Sequence, residues 1–200
     1  MSRNKGFTLL EVLIALALLA ILSAALYGTW FSLVRGRETA MTAMEDRREL
    51  RNTLDAVHRE LSAALYTLGN DRLHFVVEDR DFFGKPASTL NFTTISPPRS
   101  GTQAVSDQTE IRYVPLEREG KIVLAKQEKD AYGESEPFLF PQMEKIDGFL
   151  VECSTDGEKW VRSWDTTLNR SLPKMVKVSI QVKEGPQVVT FSTLAAPRMR

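Results

Sequence analysis

The sequence predicts an α+β protein in which one long N-terminal helix is followed by a C-terminal domain of antiparallel strands. An apolar run over residues 7–34 continues into helically spaced leucines, and no proline interrupts the chain from Phe7 to Leu68. Beyond Asn70 the apolar residues follow the spacing of strands, and turn sequences separate these runs. A chain of 200 residues has room for the helix and one domain of ordinary size.

The apolar run over residues 7–34 is long enough to cross a membrane. As a helix its 28 residues extend about 42 Å at about 1.5 Å per residue, and the hydrocarbon core of a bilayer is about 30 Å thick. Its single charge is Glu11, and a carboxylate is unfavourable in such a segment unless something compensates it. Two basic residues precede the run and two follow it closely, so flanking charge leaves its orientation open.

A motif at the start of this run carries a resemblance to a known family. The string Gly6-Phe7-Thr8-Leu9-Leu10-Glu11 follows a short basic leader, residues 1–6, and it resembles the processing site of type IV prepilins. The resemblance implies cleavage by the prepilin peptidase between Gly6 and Phe7 and methylation of the new Phe7 amine. It also implies that Glu11 sets the register of subunit assembly, and that residues after Val34 lie in the periplasm behind a single span of the bacterial inner membrane.

Two other interpretations of the N-terminus remain open. The small residues Ser23, Ala24 and Ala25 are compatible with the end of an ordinary secretory signal, and the run is also compatible with a plain signal anchor. Glu11 and the apolar character that continues to Val34 argue against the signal. The signal anchor leaves the GFTLLE string unexplained.

Residues 35–69 are charged but keep helical spacing, so we expect one continuous helix, with a separate anchor and helix as the alternative. Leucines and a valine recur at intervals of three and four and should form the face that packs on the sheet; these are Leu50, Leu54, Val57, Leu61 and Leu65, followed by Leu68. The opposite, solvated face should carry most of the charges, among them Arg47, Arg48, Glu49, Arg51, Arg59 and Glu60, and His58 has similar surroundings. Gly69 and Asn70 should end the helix.

Residues 70–200 are predicted to form a β-rich domain. The expected strands are Leu73–Val77, Thr89–Thr94, Thr109–Val114, Lys121–Lys126, Ile146–Cys153, Lys159–Trp164, Met175–Val182 and Val188–Thr193. Glu119-Gly120 and Asp156-Gly157 should each close a hairpin. The longest loop is expected over residues 127–137.

A helix followed by antiparallel strands matches the pilin fold, and the strands resemble one branch of that superfamily. The pieces Leu90-Asn91-Phe92-Thr93, Glu110-Ile111-Arg112-Tyr113 and Leu172-Pro173-Lys174 occur in the order seen in the J-type minor pseudopilin of type II secretion. The resemblance implies a structural subunit of the periplasmic pseudopilus, at its tip. It implies as partners the I-type and K-type minor pseudopilins, the major pseudopilin, the prepilin peptidase and, before assembly, inner-membrane lipid.

Other functions find little support in the sequence. The net charge of zero gives no basis for nucleic-acid binding, and no catalytic or cofactor motif occurs. The single cysteine, Cys153, is expected to be a buried thiol. Acidic clusters lack the spacing of a calcium loop, so we expect no metal; their members are Asp71, Glu78, Asp79 and Asp81, and Asp130, Glu134 and Glu136. A minor pilin of a type IV pilus or competence system remains an alternative, as does an anchored enzyme or sensor.

Overall fold

The structure, a computed structural model, describes residues 8–95, 106–118, 120–133 and 137–197. The chain divides into two compact units at the boundary between Arg48 and Glu49. Helix α1 spans Leu9–Ser62 and contributes to both units. It passes through Gly28 and Gly36 without a break, so the continuous helix is confirmed over this range and the separate anchor and helix is wrong.

The second unit is built on an antiparallel sheet, which confirms the predicted α+β class. Its strands are β1 Phe75–Glu78, β2 Asp81–Phe82, β3 Lys85–Pro86, β4 Thr89–Ile95, β5 Gln108–Arg118, β6 Lys121–Asp130, β7 Phe138–Ser154, β8 Trp164–Asp165, β9 Met175–Glu184 and β10 Gln187–Ala195, and a short helix, α2, spans Thr166–Asn169. The order in the main sheet is β10-β9-β7-β6-β5-β4-β1-β8, and β2 and β3 form a separate hairpin. Arg118 pairs with Lys121, so β5 and β6 are adjacent antiparallel strands as the predicted hairpin requires, and Glu119 itself lies outside the described residues.

Strand β7 changes partners along its length and thereby joins the two halves of the sheet. Its first part pairs with β6 as far as Ile146, and its second part pairs with β9 from Ile146 to Ser154. The register shifts between Ile146 and Gly148, just after Lys145, whose φ is +57°. Such an irregularity bends a strand, so a single long strand can serve both halves.

The C-terminal part of α1 supplies one wall of the core. Leu50, Val57 and Leu61 are buried, and Leu54 is partly buried against the same cluster. Opposite them lie aromatic and branched side chains of the sheet, including Phe75, Phe92, Tyr113, Phe149 and Ile180, none of which is exposed. The helix face predicted from the leucine spacing therefore lies on the sheet as far as Leu61.

The end of α1 differs from the prediction, and Leu65 is not part of the helical face. The helix stops at Ser62, and Ala64 instead forms an antiparallel bridge with Thr94 of β4. The Leu65 amide donates to the Thr93 carbonyl at 2.8 Å, and the Thr94 hydroxyl donates to the Glu60 carbonyl of the last turn at 2.8 Å. Strand β4 thus satisfies backbone groups that another helical turn would otherwise use. Gly69, with φ of +84°, lies in a later turn.

Three further expectations need correction. The strand predicted over Lys159–Trp164 does not form as one element. Val161 makes an isolated antiparallel bridge to Cys153, and Trp164 begins the two-residue strand β8. The second predicted hairpin, at Asp156-Gly157, therefore amounts to that one bridge, and β7 pairs with β9 instead. The loop predicted over residues 127–137 is shorter, because β6 continues to Asp130; its residues 134–136 lie outside the described residues.

Candidate assembly site

The N-terminus of α1 is closed by a reciprocal pair of hydrogen bonds between Thr8 and Glu11. The Glu11 amide donates to the Thr8 hydroxyl at 3.3 Å, and the Thr8 amide and hydroxyl each donate to Glu11 Oε2 at 3.0 Å. This is a capping box, in which the side chains of the first and fourth residues satisfy each other's backbone amides. The capping role of Thr8 was not predicted, although the Thr-x-x-Glu spacing that indicates it is visible in the sequence.

These hydrogen bonds hold the Glu11 carboxylate at the start of α1. Both hydrogen bonds from Thr8 go to Oε2. Gly6 and Phe7 lie outside the described residues, and Phe7 immediately precedes Thr8 in the sequence.

Residues 9–34 of α1 form an apolar surface that the described part of the chain leaves exposed. An 18-residue window has a mean hydropathy of 2.7 and no part of it is buried, so the helix is long and apolar enough to cross a membrane. Leu9, Leu19, Leu26 and Trp30 are each more than half exposed. Burying such side chains is favourable by about 1.5–3 kcal/mol each, so this surface requires lipid or other protein helices.

In the second unit, α1 is tied to the sheet by a polar cluster inside the core. Glu60 accepts a hydrogen bond from the Tyr113 hydroxyl at 2.6 Å and one from Lys126 Nζ at 2.5 Å. The Lys126 side chain is only 7% exposed, and its ammonium also lies 2.6 Å from a carboxylate oxygen of Glu128. Burial, and then the charge of Glu60, raises the pKa of Tyr113 well above its usual value.

Glu60 was predicted among the charges of the solvated face, but its carboxylate instead binds Tyr113 and Lys126. It lies one residue before buried Leu61 and three after buried Val57, at the border of the apolar face. A long side chain at that border can turn toward the core if a cation there pairs with its charged group. Strand alternation places Lys126 on the same face as the core residues Ile122 and Leu124, so spacing indicates its direction, but its pairing with Glu60 depends on the packing of α1 on the sheet.

The two histidines occupy different positions in the second unit. His74 Nε2 lies 3.5 Å from Glu110 on β5, and the hydrogen bond with that carboxylate raises the pKa of His74. The same bond lowers the pKa of Glu110 to about 2. His58 is exposed, as expected, and its Nδ1 lies 3.0 Å from the Leu194 carbonyl oxygen.

Cys153 is fully buried, which confirms the expected structural thiol, and burial raises its pKa to about 12. A thiol with that pKa is protonated at neutral pH and unsuited to nucleophilic attack.

Three of the acidic residues named as metal-ligand candidates bind groups of the protein itself. Glu78 pairs with Arg80 at 2.5 Å, and Asp81 accepts the Gly84 amide at 3.2 Å. Asp130 accepts the amides of Ser106 and Tyr132 in a turn. Glu134 and Glu136 lie outside the described residues. Within the part of the chain that the structure describes, no three His, Cys, Asp or Glu side chains are grouped closely enough to hold a metal ion.

Comparison with protein families identifies two matching regions. Residues 28–194 match the profile of the family described as type II secretion system (T2SS), protein J. Residues 1–27 match the prokaryotic N-terminal methylation motif. The two matches adjoin, so together they account for nearly the whole chain.

Comparison with solved structures supports the fold. A chain in the crystal structure of the GspK-GspI-GspJ complex from the enterotoxigenic Escherichia coli type 2 secretion system is similar to this one, with a TM-score of 0.52 and 15% sequence identity. The match covers 76% of this chain and 97% of that chain. At this identity the likeness shows a shared fold, and the family profile carries the stronger assignment.

Proposed function

This chain belongs to the family of type II secretion system protein J, the J-type minor pseudopilins, and from that membership we propose that it assembles at the tip of a periplasmic pseudopilus that supports export of folded proteins. The family is one of structural subunits, so the proposed work of the chain is assembly, without catalysis and without a cofactor.

The observation that carries this proposal is the capped carboxylate of Glu11 at the start of an uncovered apolar helix. An unpaired charge in an apolar setting is strongly unfavourable, and the capping box fixes where that charge lies. A terminal amine at Phe7, of the same chain or of a neighbouring subunit, would compensate it. Pairing between subunits would align helices at one axial position, which is the register that a filament requires.

Processing at the N-terminus would create this amine. The match of residues 1–27 to the methylation motif supports cleavage between Gly6 and Phe7 and methylation of Phe7. We place residues 7–34 in the inner membrane before assembly, and residues 35–69 and 70–200 in the periplasm. The membrane releases the helix when it enters the filament, because helices of other subunits then cover the apolar surface.

The proposed partners are the I-type and K-type minor pseudopilins, with the major pseudopilin below them and the prepilin peptidase acting earlier. The similar crystal structure is, by its title, a complex of GspK, GspI and GspJ, which supports a heteromeric assembly. The resemblance described above implies that K-type members lack a glutamate at this position. Because this chain has Glu11, we place it below or beside the terminal subunit.

Substitutions at Glu11 test the role of the charge separately from that of the helix cap. Glu11→Gln keeps the capping box, since glutamine also serves at that position, but removes the charge, whereas Glu11→Leu removes both. In the native host lacking the chromosomal copy, both variants should be processed to a Phe7 N-terminus, shown by mass spectrometry. Both should fail to enter pseudopili and should reduce secretion at least tenfold.

Two results would contradict this proposal. Normal assembly and secretion by Glu11→Gln would show that Glu11 serves only as a cap. A mature N-terminus near Leu26 in the wild type would show an ordinary secretory signal and refute the processing site.

A further inference from the structure

Phe83 is an exposed aromatic side chain on a backbone that does not favour it. It is 93% exposed, and its φ is +53°, followed by Gly84 with φ of +80°. Positive φ at both central residues is the requirement of a type I′ turn, where Asn-Gly is strongly preferred. A bulky residue in the left-handed region is strained, and such strain is typically concentrated at functional sites.

The hairpin that carries Phe83 is firmly seated on the domain. Phe82 packs against the core while Phe83 projects from it. Lys85 pairs with Asp147 of β7 at 2.5 Å. The residues that follow these two in the sequence, Pro86 and Gly148, also lie close together. A Cβ on Gly148 would lie 2.9 Å from Pro86 Cγ, so the absent side chain lets β3 rest directly on the strand. The ring of Phe83 is therefore presented on a rigid support, which reduces the entropy lost on binding.

The charges around the turn favour a protein surface over a lipid surface. The hairpin and its supports carry four carboxylates and three cations; these are Glu78, Asp79, Asp81 and Asp147, and Arg80, Lys85 and Arg162. Two of the cations are already paired within the domain. Anionic membranes attract basic segments. The slightly acidic surroundings of Phe83 therefore favour a protein partner, and in particular an apolar pocket bordered by basic residues.

The small area of the contact points to a partner that is already held nearby. One aromatic side chain buries about 150–250 Å², and a specific complex between free proteins needs about 1,200 Å² or more. A weak contact becomes effective when another interaction holds the two proteins together. Neighbouring subunits of a filament, joined through their N-terminal helices, meet that condition.

We propose that Phe83 inserts into an apolar pocket on the periplasmic domain of a sibling pseudopilin and helps to select that sibling. This inference rests on the proposed function, because the filament supplies the neighbouring subunit. The ring contributes the apolar contact, and Asp81, the first residue of β2, and Asp79, two residues before it, favour a pocket bordered by lysine or arginine.

Photocrosslinking from position 83 tests which molecule meets the ring. The full-length chain carrying benzoylphenylalanine in place of Phe83 is expressed in the native host and irradiated, and adducts are identified by mass spectrometry. We expect one discrete adduct with a sibling pseudopilin. The same probe in place of Leu168, which is 81% exposed on α2, should give at least tenfold less of it. Adducts with lipid alone, with a second copy of this chain alone, or with no molecule would overturn the proposal.

The variant Phe83→Asn separates binding from folding. Because asparagine suits the left-handed region, this variant should keep or raise the urea midpoint of the detergent-extracted protein. It should also lower recovery of the sibling with the tagged full-length chain at least tenfold, whereas Leu168→Asn should change neither. A lowered midpoint would instead show that Phe83 holds the domain together, and unchanged recovery would show that it binds nothing.

Loss of the whole gene distinguishes failure of this inference from failure of the proposed function. If gene loss stops secretion but Phe83→Asn secretes and recovers its sibling normally, only the role of Phe83 is wrong. If gene loss leaves secretion intact, the proposed function is wrong, and the inference fails with it.

Discussion

The ammonium of Lys126 lies between two carboxylates in the interior of the second unit, with almost no access to solvent. Glu60 on α1 and Glu128 on β6 approach it at 2.5 and 2.6 Å. The Tyr113 and Phe140 rings lie 5.7 and 5.9 Å from the ammonium. A buried pair of this kind adds little net stability compared with apolar packing, but removing one partner leaves a charge without compensation. Its value here is positional, because it fixes the last turn of α1 over one point of the sheet.

Lys126→Met should therefore destabilise the protein by about 3–5 kcal/mol. Methionine keeps the unbranched stem but leaves two carboxylates close together. The matched control is Lys177→Met, because Lys177 pairs with Glu152 at 3.2 Å with 43% of its side chain exposed; that change should cost about 0–1 kcal/mol. Urea unfolding in detergent measures both. Equal costs for the two variants would contradict the special role of the buried cluster.

His74 and Glu110 form a pair whose contribution depends on pH. The pKa of His74 is raised by Glu110 from 6.5, so its contribution is fully present below pH 6.5 and is lost as pH rises through the folded value. The pKa of Glu110 is lowered from 4.5 to about 2, so its contribution is present above pH 4.5 and lost toward pH 2. The pair should stabilise the domain fully between about pH 4.5 and 6.5.

The wild type should consequently lose stability between pH 6 and pH 8.5 to a greater extent than His74→Gln, whose glutamine does not titrate. His58→Gln is the control, because the ring of His58 is exposed and lies 3.0 Å from a neutral backbone carbonyl, that of Leu194. The comparison requires urea midpoints of the three proteins at both pH values. An identical pH dependence in wild type and His74→Gln would show that the pair of His74 and Glu110 does not cause the loss of stability.

Helix α1 shows which properties of an element its own sequence determines. The spacing of Leu50, Val57 and Leu61 predicts their common face, because side-chain direction in a helix depends only on position. The end of the helix depends on β4, whose Thr93 and Thr94 bind the chain at Leu65 and at the last turn. The leucine pattern continues past Ser62, so spacing alone could not show where tertiary contacts end the helix.

Strand β7 illustrates the same limit in the sheet. The apolar run Ile146–Cys153 was predictable, but the change of partner near Gly148 depends on β6 and β9 together. The seating of the Phe83 hairpin on this strand likewise brings together residues far apart in the chain. Propensity rules assign Phe83-Gly84 to a turn, and only the structure shows the exposed ring on a left-handed backbone.

Alanine substitutions test the observed end of the helical face. Leu61→Ala should cost about 2–5 kcal/mol, because Leu61 is completely buried in the core. Leu68→Ala should change stability by less than about 0.5 kcal/mol, since Leu68 is 67% exposed and lies beyond the helix. If the helix instead continued to Leu68 on the same face, both substitutions would be costly. Urea unfolding of the two variants distinguishes these results.

At the scale of the molecule, the two units place different demands on their surroundings. Residues 9–34 expose apolar side chains along the helix, so this segment needs lipid or protein helices. The second unit has its own core, whose described members begin at Leu50. The processing motif and the apolar run made the family recognisable from sequence, because they record requirements of a peptidase and a membrane. The polar cluster around Lys126 was not predictable, since it arises from contacts between distant residues.

A chain beginning at Thr39 should fold without the membrane segment. Every described member of the core is retained, and Thr39 is a suitable N-cap, followed by about three helical turns before Leu50. We expect a soluble protein with one cooperative thermal transition, measured by circular dichroism. A chain beginning at Leu54 loses Leu50 and Thr53, both buried, and should be less stable by about 2–5 kcal/mol. A non-cooperative transition in the longer chain would show that the domain depends on its membrane helix. Independent folding is what the proposed assembly requires, because the domain must hold its partner-binding surface while the helix leaves the bilayer.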